Sequence, residues 1–237
     1  MWGEYLSNNN IGYIFFYNRG HDIESDILKE DGSIYRCGTR YEIFEDSIYD
    51  IDAAIDKAIS IGYKKIILLG HSYGCNKVIY YSYKKNPNIS GIILASIPDM
   101  IGIHKLYEKD YESLLKEAKV NIDNNDGDKL LSKLVEDYMY MSSKTYYNWY
   151  RNNSNLDNFP ILSNSNNWYQ LESISVPILT FSGELEEEYY KNFDLIREKA
   201  CNVNLFSSYL IPKANHVYEG QELYIAKIIY NWVKEIV

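Results

Sequence analysis

A glycine-flanked serine, four histidines and a short run of glutamates are the residues of this chain whose types and spacing could carry covalent chemistry. Ser72 lies in Gly70-His71-Ser72-Tyr73-Gly74. The four aliphatic residues Ile66–Leu69 precede it and read as a short strand buried on both faces, as in a parallel sheet. A helical pattern follows, from Cys75 to about Lys85, and Pro87 stops it. G-x-S-x-G at a strand–turn–helix junction is the setting in which a serine becomes a nucleophile. A sharp turn holds the serine in strained backbone geometry, and small neighbours let strand and helix pass close together. The hydroxyl is then exposed, and the Tyr73 N–H at the helix N-terminus faces any oxyanion formed beside it. The plainer alternative is a glycine-rich β-to-α turn with an incidental serine. The strand before and the helix after favour the nucleophile.

A serine at neutral pH needs a base, and the base an orienting acid. The histidines are His21, His71, His104 and His216. His216 follows the last apolar strand pattern, Leu205–Ile211, in a loop where side chains converge on the C-terminal edge of the strands. His71 adjoins the serine, but at such a turn its side chain should diverge from that of Ser72. His21 and His104 have no comparable setting and read as polar surface or insertion residues. His216 is therefore the expected base.

The elements that must position these groups fit within 237 residues, enough for one α/β domain carrying an insertion. With 46% hydrophobic residues the chain can fill a core. A formal charge of −9, with no basic cluster longer than a Lys-Lys pair, argues against nucleic acid and anionic membrane as partners. The three cysteines, Cys37, Cys75 and Cys201, are odd in number and widely spaced, which suits a reducing compartment. The first residues lack the basic and apolar regions of a secretory leader, and the reading is a cytoplasmic protein.

Along the chain, Ile11–Tyr17 reads as a first buried strand ending in Asn18-Arg19-Gly20-His21-Asp22. Ile48, Ile51, Ile55 and Ile59 mark a helix over about 44–60, closed by Gly62, with Asp46, Asp50, Asp52 and Asp56 on a solvated face. Ile92–Ala95 is the next buried strand. Residues 99–172 show helical patterns around Lys105–Val120, Lys129–Met141 and Ser143–Arg151 and no buried strand, so they read as a helical cap inserted in a core of 1–98 and 173–237. Asp123–Asp128 superficially has the look of a calcium loop. Its glycine is out of register, and Leu134 stands where the bidentate glutamate belongs, so calcium is rejected. The aromatic and methionine cluster from Tyr138 to Tyr150 reads first as packing of the cap and second as the lining of an acyl or aromatic pocket. Pro177–Gly183 restarts the strand pattern, the acidic run Glu184–Glu188 leads into a helix to about Ala200, and a last helix covers roughly 219–236. Strands alternating with helices imply a mostly parallel sheet with right-handed crossovers.

In order and motifs the chain resembles the α/β-hydrolase superfamily over nearly its whole length. Gly70–Gly74 resembles its nucleophile elbow. Arg19-Gly20-His21-Asp22 is similar to the R-G-x-G after its fourth strand, with Asp22 in place of the last glycine. Ala214-Asn215-His216 is similar to its histidine loop. The resemblance implies a triad in the order serine, acid, histidine, with the acid three residues beyond a glycine such as Gly183. That picks out Glu186, with Glu184 and Glu187 as alternatives. The family also has three strands before its R-G-x-G strand, one of which ends in a loop giving a second oxyanion N–H. Nothing before Ile11 matches them. The expectation is that the natural start lies upstream or that a neighbouring polypeptide supplies the strands; otherwise the Asn18–Gly20 loop donates. Ile11–Tyr17 would then stand apart from Ile66–Leu69 or pair with it directly. A sheet edge left without its usual partner invites dimerisation.

These readings lead to a serine hydrolase of the esterase or thioesterase type, acting on a small-molecule acyl substrate through Ser72, Glu186 and His216, with the Tyr73 N–H in the oxyanion hole. Such a reaction needs no cofactor and no metal. The alternatives are a non-catalytic protein that binds a ligand through the same cleft, and an acyltransferase on the same triad.

Overall fold

The computed structural model describes residues 2–163 and 165–237; Met1, on which the expectation about the chain's start turns, lies outside them. The N-terminal part comprises α1 (Trp2–Ser7), a hairpin of β1 (Ile27–Leu28) and β2 (Ile34–Tyr35), and α2 (Ser47–Ser60). Next come β3 (Ile67–His71), α3 (Tyr73–Lys85), β4 (Gly91–Ala95), α4 (Met100–Tyr107), α5 (Tyr111–Asp123) and α6 (Ser143–Tyr150). The chain ends with α7 (Tyr169–Glu172), β5 (Ile178–Gly183), α8 (Glu187–Tyr190), α9 (Phe193–Lys199), β6 (Phe206–Ile211) and α10 (Glu222–Ile236). It divides into two compact units, one of residues 2–16, 54–98 and 168–237, the other of 17–53 and 99–167. No helix among the described residues is long and apolar enough to cross a membrane.

The first unit is built on a parallel sheet in the order β3-β4-β5-β6, each strand followed by a helical connection. β4 and β5 are buried along their whole length because apolar side chains cover both faces. One face packs Ile93, Leu179 and Phe181 against Ile225, Ile229 and Trp232 of α10, with Leu6 of α1 in the same cluster. Repeated apolar positions along α10 make this seam.

Ile11–Tyr17 departs from its reading as a buried strand. The segment joins neither sheet, and Phe15 and Tyr17 are 68% and 67% exposed. A strand exists through its ladder, and among the described residues β3 pairs only with β4. The apolar run therefore does not pair with β3, although Ile11 packs against the same core cluster as Ile67 and Leu69. Ile59, Ile61 and Tyr63 are likewise exposed, although Ile51 and Ala58 of the same helical stripe are buried.

In the second unit the Asp31-Gly32 turn closes the short antiparallel hairpin, with Gly32 at φ +80°. Asp50 departs from its reading as part of a solvated face. It accepts from the Arg19 backbone N–H and, at 3.0–3.2 Å, from Nε and Nη2 of the same guanidinium, so it pins the Arg19-Gly20 loop. Asp22, which replaces a glycine of the family pattern, sits at φ +58°, a conformation that glycine adopts freely and aspartate tolerates.

The helix read over Lys105–Val120 is broken between α4 and α5. Glu108 turns extended, and its carboxylate accepts from the backbone N–H groups of Asp110 and Glu136, competing with helical bonding. The pattern over Lys129–Met141 is not a helix either. Leu131, Val135 and Met139 are buried at helical spacing, but Val135 and Met139 form a bridge around Glu136 and Asp137, both in the left-handed region. The helix read over 184–200 divides into α8 and α9. Cys37 and Cys75 are buried free thiols, and Cys201 is an exposed one.

Candidate active site

The C-terminal ends of β3, β4, β5 and β6 in the first unit bring the chemically capable residues together. Ser72 joins β3 to α3 at φ 52° and ψ −127°, left-handed backbone that a residue with a side chain adopts only under constraint. Two backbone bonds supply the constraint: Ser72 N–H donates to the Ala95 carbonyl of β4, and Cys75 N–H donates to the Ser72 carbonyl, both at 2.8 Å. The Ser72 side chain does not cap the helix that it opens.

The two glycines of the motif have different roles. A Cβ on Gly70 would lie 2.4 Å from the Gly74 carbonyl oxygen, whereas a Cβ on Gly74 would meet nothing within 4 Å. Only Gly70 is required by the crossing of strand and helix. Gly70→Ala is expected to lose about 1–3 kcal/mol or more of stability in urea unfolding, because the obstructing atoms are backbone. Gly74→Ala, inside α3, should range from neutral to about 1 kcal/mol more stable.

Glu186 follows β5 and is 4% exposed. Its Oε1 accepts from His216 Nδ1 at 2.5 Å. Its Oε2 accepts from the Ser96 hydroxyl at 2.7 Å and from the Gly183 N–H at 2.8 Å. Burial alone would raise its pKa. The hydrogen bonds from His216, Ser96 and Gly183 together outweigh burial and hold it below the ordinary carboxylate value. The other two glutamates are engaged elsewhere: Glu184 accepts from the Lys213 N–H at 2.8 Å, and Glu187 pairs with Lys191 on the surface. Gly183 permits the approach, since a Cβ there would lie 2.3 Å from the carbonyl oxygen of Ala214, two residues before His216.

His71 does more than separate strand from serine. Its Nε2–H donates to the His216 carbonyl at 2.8 Å, and the two rings lie 4.8 Å apart. The turn that carries Ser72 is thus tied to the histidine loop. Burial lowers the His71 pKa, which suits a neutral ring used as a clamp. No hydrogen bond joins Ser72 Oγ to His216 among the described residues; the partners of His216 are Glu186 and His71. The remaining histidines lie elsewhere: His21 stacks on Tyr17 at 3.9 Å, and His104 is fully buried in the second unit.

Two contributors were missed in the sequence. Ser96, fully buried at φ 52° just past β4, spans from Glu186 to the Tyr218 hydroxyl, and Tyr218 in turn donates to the Phe181 carbonyl at 3.3 Å. The sequence signals were slight: a serine ending an apolar strand, and a tyrosine two residues past the histidine. Among the described residues no group of three or more His, Cys, Asp and Glu side chains is placed to hold a metal.

The fold that carries these residues is shared with known proteins. A monoacylglycerol lipase from Paleococcus ferrophilus superposes with a TM-score of 0.60 at 18% identity, covering 100% of this chain and 89% of the lipase. Est1E from Butyrivibrio proteoclasticus gives 0.55 at 15% identity, over 87% of this chain and 76% of that one. A carboxyl esterase from Bacillus coagulans gives 0.53 at 12%, over 82% and 73%. At these identities the likeness is one of fold, and the fold is that of the α/β-hydrolases. No curated protein sequence matches the chain. A family model described as "protein of unknown function (DUF1749)" matches residues 47–234, from the start of α2 into α10, and the chain belongs to that α/β-hydrolase-like family.

Proposed function

We propose that the protein is a serine hydrolase that cleaves a small carboxylic ester or thioester through an acyl-serine intermediate. The observation that carries this reading is the Glu186–His216 pair, 2.5 Å apart at the end of the sheet that also holds Ser72 at φ 52°. Ser72 Oγ attacks the acyl carbon while His216 Nε2 takes its proton; His216 then gives that proton to the leaving group. Glu186 accepts the Nδ1–H and so keeps Nε2 as the basic nitrogen. The Tyr73 N–H, at the opening of α3, stabilises the oxyanion. Water attacks the acyl-enzyme and restores Ser72. The esterase and lipase neighbours are consistent with ester chemistry on this fold.

The test is a panel of p-nitrophenyl esters and acyl thioesters offered to the folded protein. Saturable turnover of short acyl chains is expected. A folded protein that turns over none of them would favour the alternative of a non-catalytic binding protein, and turnover only with an added alcohol or amine acceptor would favour acyl transfer.

A further inference from the structure

The second unit contains a cavity of about 210 Å³. Its lining includes Met100, Met139, Met141, Trp149, Tyr150 and Glu136. Three of the chain's four methionines therefore meet in one cavity, beside aromatic rings. Methionine is soft and adaptable and makes favourable contacts with aromatic ligands. Glu136 is the one carboxylate of the lining.

Glu136 is held through both its backbone and its side chain, and that side chain is 39% exposed, at the mouth rather than the floor of the cavity. Its backbone N–H donates to Glu108 Oε2 at 2.7 Å, in a turn where Glu136 and Asp137 sit at φ 52° and 55°. Its Oε1 accepts from Nδ1 of the fully buried His104 at 2.7 Å. The His104 ring is itself fixed: Nε2 accepts from the Tyr146 hydroxyl at 2.9 Å, and the ring stacks on Tyr150 at 3.6 Å. Both ring nitrogens are used, and Glu136 Oε2 carries no hydrogen bond among the described residues. An anchored acceptor at the wall of a methionine- and aromatic-lined cavity calls for a ligand with an apolar body and one donor, and a cation gains most beside a carboxylate and π faces. An apolar cavity of about 150 Å³ accommodates benzene, so this one has room for a single ring and a short chain.

The geometry points to a binding site within the second unit for a single-ring aromatic molecule bearing a primary ammonium group, with Glu136 receiving the ammonium and Met139, Met141 and the aromatic side chains receiving the ring. The inference does not rest on the hydrolase reading, and binding is measured directly rather than through turnover.

Calorimetric titration of the full chain, as wild type and as Ser72→Ala, with 2-phenylethylamine, 2-phenylethanol and phenylacetate at pH 7 tests it. The amine is expected to bind saturably and equally to both proteins, and about tenfold or more tighter than phenylacetate. Glu136→Gln should weaken the amine about tenfold while changing the alcohol little, and Met139→Trp should abolish binding of both by filling the cavity. If Met139→Trp does not fold, Glu136→Gln decides alone, with its folding checked by thermal melting. Absence of saturable amine binding to the folded wild type overturns the proposal. So does phenylacetate binding as tightly as the amine, or amine binding unchanged in Glu136→Gln.

Discussion

Ser72→Ala is expected to lower turnover of an activated ester by about 10⁴–10⁶-fold while leaving the fold intact, because alanine removes the only atom that forms the acyl bond. The backbone at this position is held by the bonds to Ala95 and from Cys75, neither of which uses the side chain. Thermal stability should therefore hold, as melting of the same samples checks. His216→Ala should lose activity on the same scale, since a serine without its base is inert near neutral pH. The Ser72→Ala/His216→Ala double variant should be no worse than either single one, because the two act as one unit. Steady-state rates with p-nitrophenyl acetate measure all three. Turnover by Ser72→Ala within tenfold of wild type would remove the serine from the mechanism.

Glu186→Gln carries the second large effect, expected at about 10³–10⁴-fold in kcat. Both carboxylate oxygens act as acceptors, one from His216 Nδ1–H and the other from the Gly183 N–H and the Ser96 hydroxyl. An amide offers one acceptor and one donor. Turned one way, its NH₂ faces the Gly183 N–H; turned the other, it faces His216 Nδ1 and forces the proton onto Nε2, where the base must be free. The first arrangement keeps the tautomer but sets donor against donor and loses the charge that stabilises the imidazolium; the second removes the free Nε2 altogether.

The same substitution has a signature in stability. The Glu186 pKa in the folded protein lies below its ordinary value of 4.5. Its ionised form therefore contributes stability that is fully present above about pH 4.5 and is lost as the pH falls through the lowered value. The stability gap between wild type and Glu186→Gln should shrink over that acid range, which urea unfolding at stepped pH measures. A gap unchanged below pH 4 would contradict the assigned network.

The strand–turn–helix at Ser72 was legible because its cause is local: an aliphatic strand, a glycine that the Gly74 carbonyl requires, and a helix that begins at the next residue. The parallel sheet was legible for the same reason, since strands buried on both faces read as unbroken apolar runs. Glu186 could be singled out only through family resemblance, because its selection over Glu184 and Glu187 depends on Gly183 passing close to Ala214, a contact distant in sequence. Ser96, Tyr218 and the His71 clamp were hidden likewise, each being defined by a partner on another strand or loop. Ile11–Tyr17 misled because composition reports burial tendency but not the neighbour needed to complete a ladder. Lys129–Met141 misled because its helically spaced apolar residues are buried by a compact turn instead.

The most direct test of the central claim is the intact mass of the protein after exposure to a fluorophosphonate, for wild type and Ser72→Ala. One adduct is expected on the wild type and none on the variant, since an activated serine beside an oxyanion site is what the reagent selects. An unmodified wild type that is folded, or an adduct that persists on Ser72→Ala, would contradict it.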